Sequence, residues 1–147
     1  MSTTLPDKLS CLLRLSVADA QRCEADPQYV LNMLLWHQTR AGEPRCQVCM
    51  AGAIMAQTLG TDPHEEESVT WNRLEAAGLD EKLMAVNDMR NGDFSFDVGL
   101  PGDLSDEQFA GIGRARSIIK EAFQEGLRRA PWATYLEAAD ILEGVGL

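Results

Sequence analysis

An uncharged run at residues 46–60 constrains the fold of this chain more than any other feature, because 24% of all its residues are charged. Pro44 suits the first position of a helix, where its missing N–H is not needed, and Gly60 suits the left-handed residue that follows a helix. The residues between them are mostly small or good helix formers. The sequence therefore predicts one helix over residues 44–60. A helix that is apolar on all sides belongs in the middle of a bundle.

Two properties of this run indicate how it packs. A membrane span needs about 20 apolar residues, and this run is shorter and contains polar Gln47, Gln57 and Thr58, so we expect a core helix. At helical spacing its small residues share one face, along which another backbone can come close. That face is formed by Cys49, Gly52, Ala53, Ala56 and Gly60.

The rest of the chain reads mostly as amphipathic helices. Apolar residues recur at steps of three and four, and helix starts are indicated near Leu5, at Asp62-Pro63, at Asp80, at Ser105 and at Pro131. Ser105 and Gln108 have the spacing of a capping box. The predicted fold is all-α: a single domain over residues 1–147, with five to seven helices in a compact bundle around the central apolar helix.

Two segments fit a short extended structure as well. Residues 29–37 follow Asp26-Pro27, a good helix start, and we favour a helix there. The apolar residues of 29–36 also alternate, however, as they would in a strand. Residues 93–98 have no helical period, and Phe94 and Phe96 alternate with polar residues, which fits an edge strand or an ordered loop.

The net charge of −10 comes from one part of the chain. Residues 61–110 carry thirteen acidic and three basic side chains, which accounts for the whole of it. Such a surface repels nucleic-acid phosphates, so we expect no direct nucleic-acid binding. Either it is simply a solvated face, or it binds a protein with a basic cleft. The candidate partner-binding residues are Glu65, Glu66, Glu67, Asp80, Glu81, Asp88, Asp93, Phe94, Phe96 and Asp97.

The four cysteines allow a second kind of site. No basic start followed by an apolar run indicates secretion, so we expect a cytoplasmic protein with reduced thiols or metal ligands. Cys46-x-x-Cys49 has the spacing of a zinc-ligand pair, and zinc needs about four ligands. The candidate metal set is Cys46, Cys49, Cys23 and His37, with Cys11 and His64 as further donors. Buried apolar thiols are the more ordinary interpretation.

Redox or nucleophilic chemistry at Cys46 is a further interpretation. In the first turn of the predicted helix, beside Arg45, its thiol pKa would be lowered. A thioredoxin-like site also needs a strand that leads into this helix, and the preceding residues do not resemble one. No Ser/His/Asp order, phosphate-binding glycine loop or HExxH motif is present. We therefore predict no catalytic residues.

Part of the chain resembles a known group of proteins. The residues that carry the likeness are Trp36-His37 and Cys46-x-Val48-Cys49-x-Ala51-Gly52-Ala53-x-Met55-Ala56, with weaker agreement at Leu9-Ser10, Asp19-Ala20 and Pro27-x-Tyr29. They resemble uncharacterised small proteins encoded by tailed bacteriophages and prophages of proteobacteria. The resemblance implies an accessory phage protein in the cytoplasm of a bacterial host, and it implies no activity.

Two functional hypotheses follow. The first is a non-enzymatic interaction protein, without a cofactor or a membrane partner, that modulates a host protein through its acidic surface. The alternative is a zinc-binding or thiol-dependent protein centred on Cys46 and Cys49.

Overall fold

The protein combines six helices with a small sheet. A computed structural model describes residues 4–94, 103–122 and 129–147. Their elements are, in chain order, α1 (Leu9–Ala25), β1 (Tyr29–Leu31), β2 (His37–Arg40), β3 (Glu43–Val48), α2 (Met50–Gln57), α3 (Glu67–Ala76), α4 (Asp80–Met89), α5 (Asp106–Ala122) and α6 (Trp132–Gly144). Within these ranges no helix has both the length and the apolar character that a membrane crossing requires.

The all-α prediction is wrong, because three strands form a mixed sheet in the order β1-β3-β2. β1 runs parallel to the central strand β3, with Tyr29 paired to Cys46. β2 runs antiparallel to β3, with His37 paired to Val48. The sheet lies in the part of the chain for which we expected the central helix and its predecessor.

The predicted helix over residues 44–60 is really a strand followed by a shorter helix. β3 takes its first part, Cys49 caps the helix, and α2 begins at Met50. In β3 the side chains of Cys46 and Val48 are fully buried, whereas Arg45 is exposed and Gln47 is partly exposed. This is the two-residue period of a strand. Hydrogen bonds from the strands on both sides of β3 override the helical preference of these residues. A run of so few uncharged residues fits a helical and a strand period equally well, so the sequence does not distinguish the two.

The helix favoured over residues 29–37 is also wrong. Tyr29–Leu31 is strand β1, and the backbone of its flanking residue Asn32 donates to the Val48 carbonyl at 2.8 Å. Asp26 is the C-cap residue of α1 and does not start a second helix: its Oδ1 accepts from the Gln28 backbone N–H at 2.9 Å and forms a turn. For the second open segment, residues 93 and 94 lie outside any strand, and residues 95–98 are outside the described residues.

The burial predicted for the uncharged run is confirmed in α2. Met50 and Ile54 are fully buried, and Met55 is 2% exposed. α1 packs against both α2 and α6, α6 packs against α5, and α2 also contacts α4 and the strands β2 and β3. Each of these large apolar side chains contributes roughly 1.5–3 kcal/mol by leaving water, before the entropy of ordering is subtracted.

The observed helix starts show which capping motifs in the sequence predicted a start correctly. The capping box is confirmed: the Gln108 N–H donates to Ser105 Oγ at 3.1 Å, and the Ser105 N–H donates to Gln108 Oε1 at 3.0 Å. The predicted helix start at Asp62 is wrong, since α3 begins at Glu67. Asp62 instead accepts from the His64 N–H at 2.8 Å, and this turn extends the connection before α3.

A close backbone contact fixes the start of α2 against the sheet. A Cβ atom at Gly52 would lie 1.4 Å from the carbonyl oxygen of Trp36 and 2.6 Å from its carbonyl carbon. Only glycine leaves room for that carbonyl, and the close approach predicted for the small-residue face occurs here. The contact holds the residues that precede β2 against the first turn of α2.

We expect Gly52→Ala to lower the free energy of unfolding by about 3 kcal/mol, because the added methyl group overlaps a backbone carbonyl that cannot rotate away. The measurement is urea denaturation followed by circular dichroism. Gly113→Ala in α5 is the matched control: its Cβ would meet nothing within 4 Å, so it should leave stability unchanged or raise it by up to about 1 kcal/mol. Equal stability of the Gly52→Ala variant and the wild type would show that the contact is not a constraint.

Candidate binding site

A cleft with two adjoining cavities lies between β2 and the start of α3. The first, which we call the aromatic cavity, has a volume of about 330 Å³. The rings of Trp36 and Trp71 meet edge to face in its wall, with centroids 5.3 Å apart and an interplanar angle of 84°. The complete lining is Trp36, His37, Met55, Glu67, Thr70, Trp71 and Met84.

The second cavity, which we call the acidic cavity, has a volume of about 340 Å³. It is lined by His37, Gln38, Thr39, His64, Glu65, Glu66 and Glu67. His37 and Glu67 line both cavities, so the two are neighbours. Together they form a two-part cleft, largely apolar at one end and negatively charged at the other.

Hydrogen bonds between β2 and the α3 region hold the walls of the cleft together. Gln38 Nε2 donates to Glu67 Oε2 at 2.5 Å, and Thr39 Oγ1 donates to the Pro63 carbonyl at 3.2 Å. The antiparallel pairing of β2 with β3 fixes the other side, since His37 lies opposite Val48. The cleft therefore depends on the small sheet that the sequence did not predict.

The three glutamates differ in how far their charge is compensated. Glu65 Oε2 lies 3.0 Å from Arg73 Nη2 and also accepts from Thr70 Oγ1 at 2.5 Å. Glu66 and Glu67 form no ion pair with any residue in the described ranges. The surplus negative charge of the cleft therefore belongs to Glu66 and Glu67.

His37 is the unusual residue of the cleft, because it is buried and unpartnered. It is only 1% exposed, and neither ring nitrogen has a hydrogen-bond partner among the residues that the structure describes. Burial lowers the pKa of its imidazole from the ordinary value of 6.5, against the opposing effects of its own backbone carbonyl and of the charges of Glu65 and Asp62. The ring is therefore neutral near pH 7, with one N–H donor and one acceptor nitrogen. Leaving such groups unpaired costs about 1–3 kcal/mol, a cost that a partner within the cleft would remove.

The cleft unites residues from both predicted sets. Glu65, Glu66 and Glu67 come from the proposed partner-binding surface, whereas His37 comes from the proposed metal set. The other candidates lie elsewhere on the chain. Asp80 and Glu81 begin α4, while Asp88 lies in the last turn of that helix, where burial and the nearby charge of Asp93 raise its pKa. Asp93 pairs with Lys120 at 3.7 Å, Phe94 is buried, and Phe96 and Asp97 lie outside the described residues.

The structure separates the two cysteines of the CxxC motif. Cys46 lies within β3 and packs in a small cluster with Cys23 of α1 and Tyr29. Cys49 packs in the main core, and its Sγ accepts from the Gly52 N–H at 3.5 Å. The parts of the chain covered by the structure contain no group of three or more His, Cys, Asp or Glu side chains positioned for a metal ion.

The lowered thiol pKa predicted for Cys46 is wrong, and so is the reason given against a redox site. A strand does lead into α2, but Cys46 lies inside that strand and not at the helix start. Burial raises the pKa of Cys46 to about 12 and that of Cys23 to about 11, and it also raises the pKa of Cys49. Thiols in these surroundings are protonated at neutral pH and react slowly.

Several residues of the cleft were not predicted as site residues. They are Trp36, Gln38, Thr39, Met55, Thr70, Trp71 and Met84. The signal nearest to them is the pair Trp36-His37, together with Trp71 just after the run of glutamates. No local spacing connects residues 36–39 with residues 64–71, because their proximity results from the turn before α3 and from the strand pairing.

Comparisons with protein families, with curated proteins and with solved structures found no match to this chain. The geometry of the cleft and the distribution of charge are therefore the features that indicate a function. The resemblance to phage proteins stays a prediction.

His37 should make stability depend on pH. Its folded pKa lies below 6.5, so between those two values the unfolded chain binds more protons. Unfolding free energy should therefore fall as pH drops below about 6.5, by at most about 1.4 kcal/mol per pH unit from this group. In His37→Phe this component is absent. Denaturation of both proteins from pH 8 to pH 5 should give a constant stability difference above pH 7 and a growing advantage for the variant below it. Parallel curves throughout would contradict a buried neutral imidazole.

Thiol reactivity should separate the cysteines by exposure. Cys11 is exposed, whereas Cys23, Cys46 and Cys49 are buried. With an aromatic disulfide reagent at pH 8, we expect one fast-reacting thiol in the native protein and four in denaturant, because burial blocks access and keeps the other three protonated. Cys11→Ser should remove the fast phase. Fast modification of Cys46 or Cys49 in that variant would restore the thiol-dependent hypothesis.

Proposed function

We propose that this protein is a non-enzymatic interaction protein that binds a basic segment of a bacterial host protein through its acidic surface. The observation that supports this most is that the basic residues of the acidic region do not neutralise it. The phage setting comes from the sequence resemblance, and the charge argument is independent of it.

Residues 61–110 contain three basic side chains, and their contacts leave most of the acidic side chains in the described part of this region without an ion pair. Arg73 pairs with Glu65. Lys82 Nζ reaches away to Asp7 at 2.7 Å and to the Leu5 carbonyl at 2.8 Å. Arg90 donates to the Met33 carbonyl. As a result, Glu66, Glu67, Asp80 and Glu81 have no ion pair within the described part of the chain.

Uncompensated charge on one surface favours association with an oppositely charged partner. It raises the rate of encounter and discriminates against acidic proteins, more than it adds to affinity once the complex is formed. The Debye length is about 8 Å at physiological ionic strength, so binding of this kind weakens as salt is added. By contrast, the buried, protonated thiols give the thiol-dependent alternative no support.

The test is capture from a proteobacterial lysate by the immobilised protein, with identification of whatever is retained. A specific partner should bind at about 50 mM salt and be lost by about 500 mM, because the attraction is screened. The double variant Glu66→Lys/Glu67→Lys should retain about tenfold less of it, since two attractive charges become repulsive.

Glu121→Lys/Glu137→Lys is the matched control. It makes the same change in net charge at exposed positions of α5 and α6 that lie outside residues 61–110. This control should capture the partner as the wild type does. Equal loss in both variants would mean that overall charge alone governs retention. Capture that is indifferent to salt and to both variants would exclude the acidic surface as the binding site.

A further inference from the structure

We propose that the two-part cleft receives a tyrosine side chain of the basic partner segment, with the ring in the aromatic cavity, the hydroxyl on His37 and neighbouring lysines or arginines beside Glu66 and Glu67. This inference deepens the proposed function by specifying the site and the chemistry of its occupant, and its charge component rests on that function. The residues of the cleft support it in three steps.

The aromatic cavity has the size and walls for one ring. A volume of about 330 Å³ lies at the lower end of the range of ligand cavities and accommodates a single aromatic side chain. Trp36 and Trp71 are both only partly buried, so their rings offer faces and edges to an incoming ring. Met84, which is 51% exposed, forms an adaptable apolar rim. Aromatic anchors in such pockets are typical of the residues that dominate protein interfaces.

His37 selects among aromatic groups. A neutral imidazole offers one donor and one acceptor, and both ring nitrogens of this buried residue lack a partner in the described residues. A phenol hydroxyl is at once a donor and an acceptor, whereas a phenylalanine ring is neither and an indole N–H only donates. A tyrosine hydroxyl can therefore pair with either nitrogen of His37, whichever tautomer is present. Because both nitrogens are buried in the empty cleft, the side chains around His37 must shift to admit it.

The acidic cavity favours positively charged residues next to the inserted tyrosine in the partner segment. Glu67 lines both cavities, so a cation next to the inserted ring lies near its carboxylate. Glu66 adds a second uncompensated charge, while Arg73 neutralises Glu65. The cleft thus favours an aromatic residue with basic neighbours and disfavours the same residue with acidic neighbours.

Three acetylated and amidated pentapeptides test the insertion, each with two lysines on either side of a central tyrosine, phenylalanine or alanine. Affinities are measured by NMR titration at low salt. For the wild type, we expect the phenylalanine peptide to bind about tenfold more tightly than the alanine peptide, because its ring enters the aromatic cavity. The tyrosine peptide should bind about fivefold more tightly still, because its hydroxyl pairs with His37.

Two variants locate the effect. His37→Phe should abolish the preference for tyrosine over phenylalanine while leaving the lysine contribution unchanged. Trp71→Leu should reduce binding of both aromatic peptides to the level of the alanine peptide. The matched control is Trp132→Leu, which replaces another partly buried tryptophan outside the cleft and should keep the wild-type order. If Trp71→Leu does not fold, the comparison of tyrosine with phenylalanine in His37→Phe still decides the matter.

The outcomes distinguish this inference from the function on which it rests. Equal binding of all three peptides, lost in Glu66→Lys/Glu67→Lys, would overturn the insertion and leave the acidic surface in place. The same preference for tyrosine in the wild type and in His37→Phe would overturn the role of His37. A fourth pentapeptide, with glutamates in place of the lysines around the tyrosine, should bind more weakly, and equally tight binding would overturn the charge requirement. The absence of binding by any peptide would overturn the cleft as a site for such segments.

Discussion

The contact between Gly52 and the Trp36 carbonyl is the constraint on which the rest of this structure depends. It lets the first turn of α2 lie directly against the residues that precede β2, at a distance that no side chain would allow. Strand β3 leads into α2 through Cys49, and β2 pairs with β3, so one glycine joins the sheet to the buried helix. Because protein interiors are closely packed and tolerate little change in volume, this contact fixes the position of the sheet relative to α2.

The cleft is a consequence of that junction. Trp36 provides the carbonyl of this contact, and His37 is the next residue. The hydrogen bonds from Gln38 to Glu67 and from Thr39 to the Pro63 carbonyl hold the start of α3 beside them. An apolar cavity, a buried neutral imidazole and two uncompensated glutamates are thereby brought together at one place. None of these features alone indicates a ligand, since acidic surfaces are often only solvated. Their coincidence with an unpartnered, buried polar ring makes the cleft the best candidate for the functional site.

The sequence predicted burial better than it predicted secondary structure. The apolar run is buried in α2 as expected, and the capping box at Ser105 formed as its spacing indicated. Strand β1 stayed an alternative to a helix, because a short uncharged run fits both periods and its pairing with β3 cannot be inferred from local propensity. The β2–β3 hairpin is local, but its turn contains Gly42 at a φ of 88°, and a glycine of this kind is also the signal that ends a helix. His37 was chosen as a metal ligand from its residue type, whereas its actual distinction is burial without a partner. The pocket formed with Trp71 arises from non-local contacts, which no spacing along the chain reveals.

The central claim is that His37 is a neutral, buried imidazole that gains a hydrogen-bond partner when the cleft is filled. Long-range nitrogen-15 NMR of the histidine rings tests it most directly, with His64 as the exposed reference in the same spectrum. For His37, we expect the pattern of one neutral tautomer at pH 6.5, and a shift of its ring nitrogens when the lysine-flanked tyrosine peptide is added. An imidazole that is largely protonated at that pH, or ring nitrogens that do not respond to saturating peptide, would contradict the account.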